Sequence, residues 1–193
     1  MAEHPARAAL SADCLAALSA YAPDEASQRS LRDDFVDHLR SRGDGWSRSC
    51  PGAHLTASAI ISSPSADRFL LIRHRKLDRW LQTGGHIEAT DATLSDAALR
   101  EAREESGLAD LELVPGILHL DRHDVPCGTV RPAYHLDVRY LILARSPGRL
   151  TATEEVQDVR WFGPDELPTD EESVTVLVDL ARHRLVRAGG QTG

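Results

Sequence analysis

Three glutamates at i, i+3 and i+4 constrain this chain most: Glu101, Glu104 and Glu105, inside Arg100-Glu101-Ala102-Arg103-Glu104-Glu105-Ser106-Gly107-Leu108. On a period of about 3.6 residues they share one helical face. Placing residues 93–106 on that period gives an apolar stripe of Leu94, Ala98, Leu99 and Ala102. The three acids adjoin the stripe, and Asp96, Arg100 and Arg103 fill the outward sector. A solvated face would carry its acids on the far side, mixed with lysines. Carboxylates crowded beside a buried stripe repel one another, and a bound cation neutralises them. Thr93 and Asp96 fit a capping-box-like start, and Gly107 fits a left-handed stop.

The pattern elsewhere supplies the surface this helix needs. Apolar runs at Leu55–Ile61, Phe69–Ile72, Leu111–Leu120, Leu136–Ala144 and Val156–Phe162 read as strands. Helices are expected at 93–106 and 173–187, with a helical turn near Pro164-Asp165-Glu166-Leu167. Strands and helices interleave around one sheet, so the fold class is α/β or α+β, helices covering a sheet as a sandwich. Leu10, Cys14, Leu15 and Leu18, then Leu31, Phe35, Val36 and Leu39, recur at helical spacing within 6–20 and 27–41. Arg42-Gly43-Asp44-Gly45 reads as a flexible joint after them. The chain divides into a helical extension at 1–50, one main domain at 51–188 and a small, polar tail at 189–193.

Composition narrows the function. At 193 residues and 41% hydrophobic content the chain holds one full core. A formal charge of −8 does not suit a binder of nucleic-acid polymers, so a phosphorylated ligand must be met locally, by metal ions or a basic patch. Cys14, Cys50 and Cys127 lie far apart with no C-x-x-C pair, as reduced thiols in a cytoplasmic protein would. No run approaches the apolar residues, about 20, that a membrane span requires.

Gly84-Gly85-His86-Ile87-Glu88, followed by the acidic helix, completes a longer pattern. From Gly85 to Leu108 it resembles the Nudix box, written G-x5-E-x7-R-E-U-x-E-E-x-G-U with U aliphatic. Arg100, Glu101, Glu104, Glu105, Gly107 and Leu108 match, with Ala102 in the first aliphatic slot. Asp91 stands where the family has its first Glu, one residue further from Arg100, so a single residue is inserted between Ala89 and Thr93. Loops absorb such insertions cheaply, which leaves the helix undisturbed. Asp91 either fills that acid's supporting role or leaves it empty.

The resemblance, over about residues 54–165, implies a Nudix-type α/β/α sandwich around a mixed sheet. It also implies hydrolysis of a pyrophosphate bond in a nucleoside diphosphate derivative or related small organic pyrophosphate. Glu101, Glu104, Glu105 and the Gly84 carbonyl would bind Mg2+ or Mn2+, and Arg100 would orient a glutamate, most simply Glu104 one turn on. Glu101 or a later acid would take the proton. Residues 1–50 would form a helical cap or the arm of a homodimer. Two alternatives share the fold: a nucleotide-sensing module without turnover, and a prenyl-diphosphate isomerase, which needs a cysteine opposite an acid.

Further residues are candidates for substrate contact. Arg73, His74, Arg75, Lys76 and Arg79 put five cations before the Gly-Gly turn, and alternation would send Arg73 and Arg75 to one face. His86 lies beside the phosphate path. His123 and His135 are read as substrate contacts or strand packing, since His119, Asp121, His123 and His135 show no compelling ligand spacing. Glu154 and Glu155 precede the Trp161 strand, where Glu155 offers another ligand or base. Trp46, Trp80 and Tyr134 are read first as packing and second as candidates for stacking on a base.

Overall fold

The computed structural model describes residues 5–125, 130–146 and 148–189, so Cys127 and residues 190–193 of the expected tail lie outside the described residues. Two helices lead, α1 (Pro5–Ala20) and α2 (Ala26–Ser41). Strands β1 (Ala53–Ser62), β2 (Phe69–His74), β3 (Arg79–Leu81) and β4 (Thr83–His86) then precede α3 (Leu94–Ser106). Strands β5 (Leu111–Asp124), β6 (Tyr134–Ala144) and β7 (Val156–Phe162) lead to α4 (Glu172–Gly189). The sheet runs β3-β2-β1-β6-β5, with β4 also on β1 and β7 on β2. β1 and β6 pair in parallel and the other pairs are antiparallel, so the sheet is mixed.

Two apolar layers make the sandwich. Leu55, Ala57, Ala59, Leu136 and Val138 meet Leu94, Ala97, Ala98 and Ala102 of α3, and the same cluster takes in Leu10, Cys14 and Leu18 of α1 and Phe35, Val36 and Leu39 of α2. On the other face Ile60, Phe69, Leu71 and Leu141 meet Val174, Leu177, Val178 and Ala181 of α4. β1 is buried on both faces, as its apolar run and parallel partner require. Each fully buried Leu or Phe contributes roughly 1.5–3 kcal/mol, so the stripes of α1 and α2 bind them firmly to the sheet.

Polar contacts strengthen that attachment. Asp13 of α1 accepts the Leu94 N–H at 2.7 Å, satisfying a first-turn donor of α3. Gln28 of α2 is buried and brackets edge strand β5: its amide donates to the Leu120 carbonyl at 2.9 Å and its carbonyl accepts the Leu120 N–H at 2.8 Å.

Several expectations meet a different outcome in the structure. Residues 42–45 are no loose joint: Gly45 donates to the Arg42 carbonyl at 2.9 Å and accepts the Leu55 N–H at 2.9 Å. Of the two readings of Trp46, stacking on a base or packing, the structure has packing: it is 2% exposed and sits in the core. Gly84-Gly85 is not a turn but part of β4, registered on Ser58 and Ala57. Pro164–Leu167 forms a turn closed by Glu166 N–H on the Gly163 carbonyl, without a helix, and Gly189 ends α4 where a tail was expected to begin.

Candidate active site

Helix α3 delivers its acids because both ends are locked. Thr93 accepts the Asp96 N–H at 3.0 Å, and Gly107 takes the left-handed conformation (φ 75°) with its N–H on the Arg103 carbonyl. The Ala stripe brings the helix down on β1 and β4, so the acids meet the two glycines of β4. Gly84 donates its N–H to Glu105 Oε2 at 2.8 Å. A Cβ on Gly85 would lie 2.6 Å from Glu101 Oε1, so only glycine admits that carboxylate here.

Arg100 organises the front of the site. Its guanidinium forks onto Asp91 at 2.9 and 3.0 Å, reaches Glu101 at 2.9 Å and Glu104 at 3.2 Å, and donates to the His86 carbonyl at 2.9 Å. The Asp91 side chain is 5% exposed and also accepts the Glu88 N–H at 2.8 Å. Asp91 therefore braces Arg100 from the loop ahead of the helix. Arg100 holds Glu101 more closely than Glu104, the partner expected from helical spacing, because the bidentate grip of Asp91 aims the fork towards the helix start. The hydrogen bonds to Asp91 lead in raising the guanidinium's pKa above its ordinary value.

Electrostatics mark the acids as short of positive charge. Burial pushes the Glu105 carboxyl up to about 8, against the Gly84 hydrogen bond, and Glu101, Glu155 and Glu104 add to the rise. Burial also raises Glu101, despite Arg100 beside it, with Glu104 and Glu155 adding. The sheltered Glu101 and Glu105, with Glu104 on the same helix, offer oxygen donors of the kind a hard divalent cation takes.

The remaining predicted residues divide into two groups. Arg75 donates Nε–H to the Glu154 carbonyl at 2.8 Å and its backbone N–H to the Glu155 carbonyl at 2.9 Å, and these residues line a small cavity of about 220 Å³ with His74 and Lys76. Arg73 is held at 2.7 Å by Asp78 across the β2–β3 turn, which engages its charge. Trp80 packs edge-on against Phe162, ring centres 5.0 Å apart, and Arg122 covers the Tyr134 ring at 4.2 Å.

His86 points away from the acids, because the neighbouring Gly85 faces Glu101 and strand residues alternate. On that opposite face it joins His54 and His135, which face each other across β1 and β6. His123, hydrogen-bonded to Asp121 at 2.8 Å, flanks His135 with ring centres 5.4 Å apart. Burial, His86 and Arg48 hold His54 down to about 4, and burial with the other imidazoles holds His135 down to about 3; burial and Arg48 lower His86. Sequence reasoning considered His135 and His86 separately and did not include His54. Only the strand register, which no local pattern reveals, joins them.

Comparison with known proteins agrees with this architecture. No curated protein matches the chain. A hydrolase of the NUDIX family from Clostridium perfringens is 24% identical and covers 70% of this chain and 97% of its own, with a TM-score of 0.50. An Ap4A hydrolase from C. elegans is 17% identical over 70% of this chain and 98% of its own, with a TM-score of 0.52. A UDP-X diphosphatase, 16% identical, covers 93% of this chain and 91% of its own at a TM-score of 0.53. The family model for the NUDIX domain matches residues 52–179, a span that contains the whole acidic helix and its glycine strand. With that match over the greater part of its length, the chain belongs to the NUDIX domain family.

Proposed function

We propose that this Nudix pyrophosphohydrolase cleaves the pyrophosphate bond of a nucleoside diphosphate derivative or related small organic pyrophosphate, using Mg2+ or Mn2+ held by Glu101, Glu104, Glu105 and the Gly84 carbonyl. One observation carries the reading: Glu101 lies against Gly85, Glu105 accepts the Gly84 N–H and Glu104 shares Arg100 with Glu101, so three carboxylates of one helix gather at β4. When bound, such a cation would polarise the phosphoryl oxygens and lower the pKa of the attacking water.

The chain's own residues do the rest. Arg100, braced by Asp91, holds the Glu101 carboxylate in one orientation. Gly84 fixes Glu105 through its N–H. Glu101 or Glu155 takes the proton of the attacking water. Arg75, beside the Glu154–Glu155 loop, offers positive charge to the departing phosphate, whereas His86 and His123, expected to touch the substrate, lie on the other face of the sheet and are not assigned to it. Arg73 serves the substrate only by leaving Asp78. The names of two relatives in fold, an Ap4A hydrolase and a UDP-X diphosphatase, support a nucleotide-derived substrate.

Residues 1–50 are a helical extension on the catalytic domain of residues 51–188. A cytoplasmic setting agrees with buried, free Cys14 and Cys50, and among the described residues no helix is long and apolar enough to cross a membrane.

The test is a panel of nucleotide sugars, dinucleoside polyphosphates, nucleoside triphosphates and prenyl diphosphates, each with and without Mg2+. At least one is turned over, EDTA abolishes the turnover, and Glu104→Gln lowers kcat by roughly 100-fold, about 2.7 kcal/mol of barrier. Wild-type rates in Glu104→Gln remove the metal assignment. Tight nucleotide binding with no product anywhere on the panel identifies a sensing module instead.

A further inference from the structure

The face of the sheet opposite α3 carries a second constellation with its own chemistry. In β1, residues Leu55, Ala57 and Ala59 pack towards α3, so His54, Thr56 and Ser58 point the other way; in β6, His135, Asp137 and Arg139 do the same. Parallel register sets His54 beside His135 and Thr56 beside Asp137, and antiparallel register sets His86 of β4 beside Thr56. Three imidazoles from three strands therefore converge at one end of this face.

Their geometry is that of a ligand set. The ring centres form a nearly equilateral triangle with sides of 4.9, 5.2 and 5.2 Å. A tetrahedral ion with metal–nitrogen bonds of about 2.1 Å would hold imidazole centres about 5.2 Å apart. One ring nitrogen from each of the three lies within 4.8 Å of the others. His54 is 6% exposed, and its buried Nε2 has no hydrogen-bond partner among the described residues. A buried polar atom without a partner is destabilising unless a ligand meets it, and this one sits on a ring of the triangle.

The surroundings brace the strands that carry the rings. Asp137, a buried acid in register, already accepts three hydrogen bonds, from Thr56 at 2.9 Å, Ser58 at 2.8 Å and Arg139 at 2.8 Å. It braces the strands without competing as a ligand. His86 and His135 are only half-buried, which gives an ion access and leaves a fourth position for water or a substrate oxygen.

We propose that His54, His86 and His135 form a site for a first-row transition-metal ion of borderline softness, such as Zn2+, on the other side of β4 from the carboxylates. Nitrogen donors select such ions, whereas the oxygen set at Glu101, Glu104 and Glu105 suits Mg2+, so the two sites are chemically orthogonal. The proposal stands independently of the hydrolytic reading.

The test uses the full chain, stripped with chelator and titrated with Co2+ in excess Mg2+, which keeps the carboxylates occupied. One equivalent of Co2+ enters with the visible d–d bands of four-coordinate cobalt, and Zn2+ displaces it and raises the thermal midpoint. The bands persist in Glu101→Gln and Glu104→Gln. They weaken in His86→Gln and His135→Gln, whose affinity falls by roughly 100-fold while circular dichroism reports an intact fold. On the unaltered protein, ring-nitrogen NMR shifts of three histidines move together on adding Zn2+, a readout that depends on no variant. The proposal is overturned by no uptake, by bands unchanged in both histidine variants, or by bands lost in the glutamate variants.

Discussion

Replacing Asp91 by Ala tests whether the loop acid supports the site, because it leaves every proposed metal ligand in place. The substitution removes two charge-assisted hydrogen bonds to Arg100, at 2.9 and 3.0 Å, and the acceptor of the Glu88 N–H. Hydrogen bonds to charged groups contribute about 1.5–3 kcal/mol each, and removing one partner of a buried ion pair costs about 3–5 kcal/mol. Arg100 is 21% exposed and keeps Glu101 and Glu104, so water and those acids recover part of the loss. The net cost is therefore about 3 kcal/mol, at the low end. For a chain of this size that lowers the thermal midpoint by about 6–12 °C. A double-mutant cycle with Arg100→Ala, read by urea unfolding, isolates the pair at about 2–3 kcal/mol of coupling. A coupling below about 0.5 kcal/mol would refute the bracing argument, and Asp91 would then be a bystander in its loop.

Other perturbations address neighbouring contacts. Gly85→Ala drives a Cβ into the Glu101 carboxylate and lowers kcat by about 100-fold with little change in thermal midpoint; an unchanged kcat would show that Glu101 need not sit there. In metal-free protein Glu105 keeps its proton up to about pH 8, whereas the unfolded chain releases its proton near 4.5. Folded protein thus binds more protons between those values, and this group's contribution to stability declines as pH rises from about 4.5 to 8, then levels off. Because a divalent ion must displace that proton, Mn2+ affinity followed by EPR climbs up to about tenfold per pH unit below 8; Glu105→Gln flattens the curve, and a flat wild-type curve counts against the assignment. Gln28→Ala strands the Leu120 N–H and carbonyl and costs about 2–4 kcal/mol in urea unfolding, whereas a loss under about 0.5 kcal/mol would mean that α2 is held by apolar contact alone.

Local chemistry explains what could be read in advance. The ends of α3 were legible because Thr93 and Gly107 act within a turn of themselves, and β1, β2, β5, β6 and β7 were legible as apolar runs. β3 and β4 were hidden. β3 is three residues long, and glycines at 84 and 85 signal a turn; here they are strand residues because Ser58 and Glu101 occupy the space their side chains would need. The helical spacing of Arg100 and Glu104 pointed to the weaker contact, since a fork aimed by a loop acid nine positions upstream leaves no periodic trace. What Trp46 packs against was not legible, because the apolar residues of its cluster come from elements distant in sequence. The convergence of His54, His86 and His135 exists only through the β1–β4 and β1–β6 registers.

The bracket that Gln28 places on Leu120 has a meaning beyond anchoring α2. The outermost strand of an open sheet is where proteins adhere to one another, since its unused rungs invite a foreign strand. Here a glutamine amide imitates one such rung, giving and taking a hydrogen bond as a neighbouring backbone would. A second molecule seeking to lengthen the sheet along β5 finds that step of the ladder already taken, so the leading helices act as a guard against edge-to-edge aggregation.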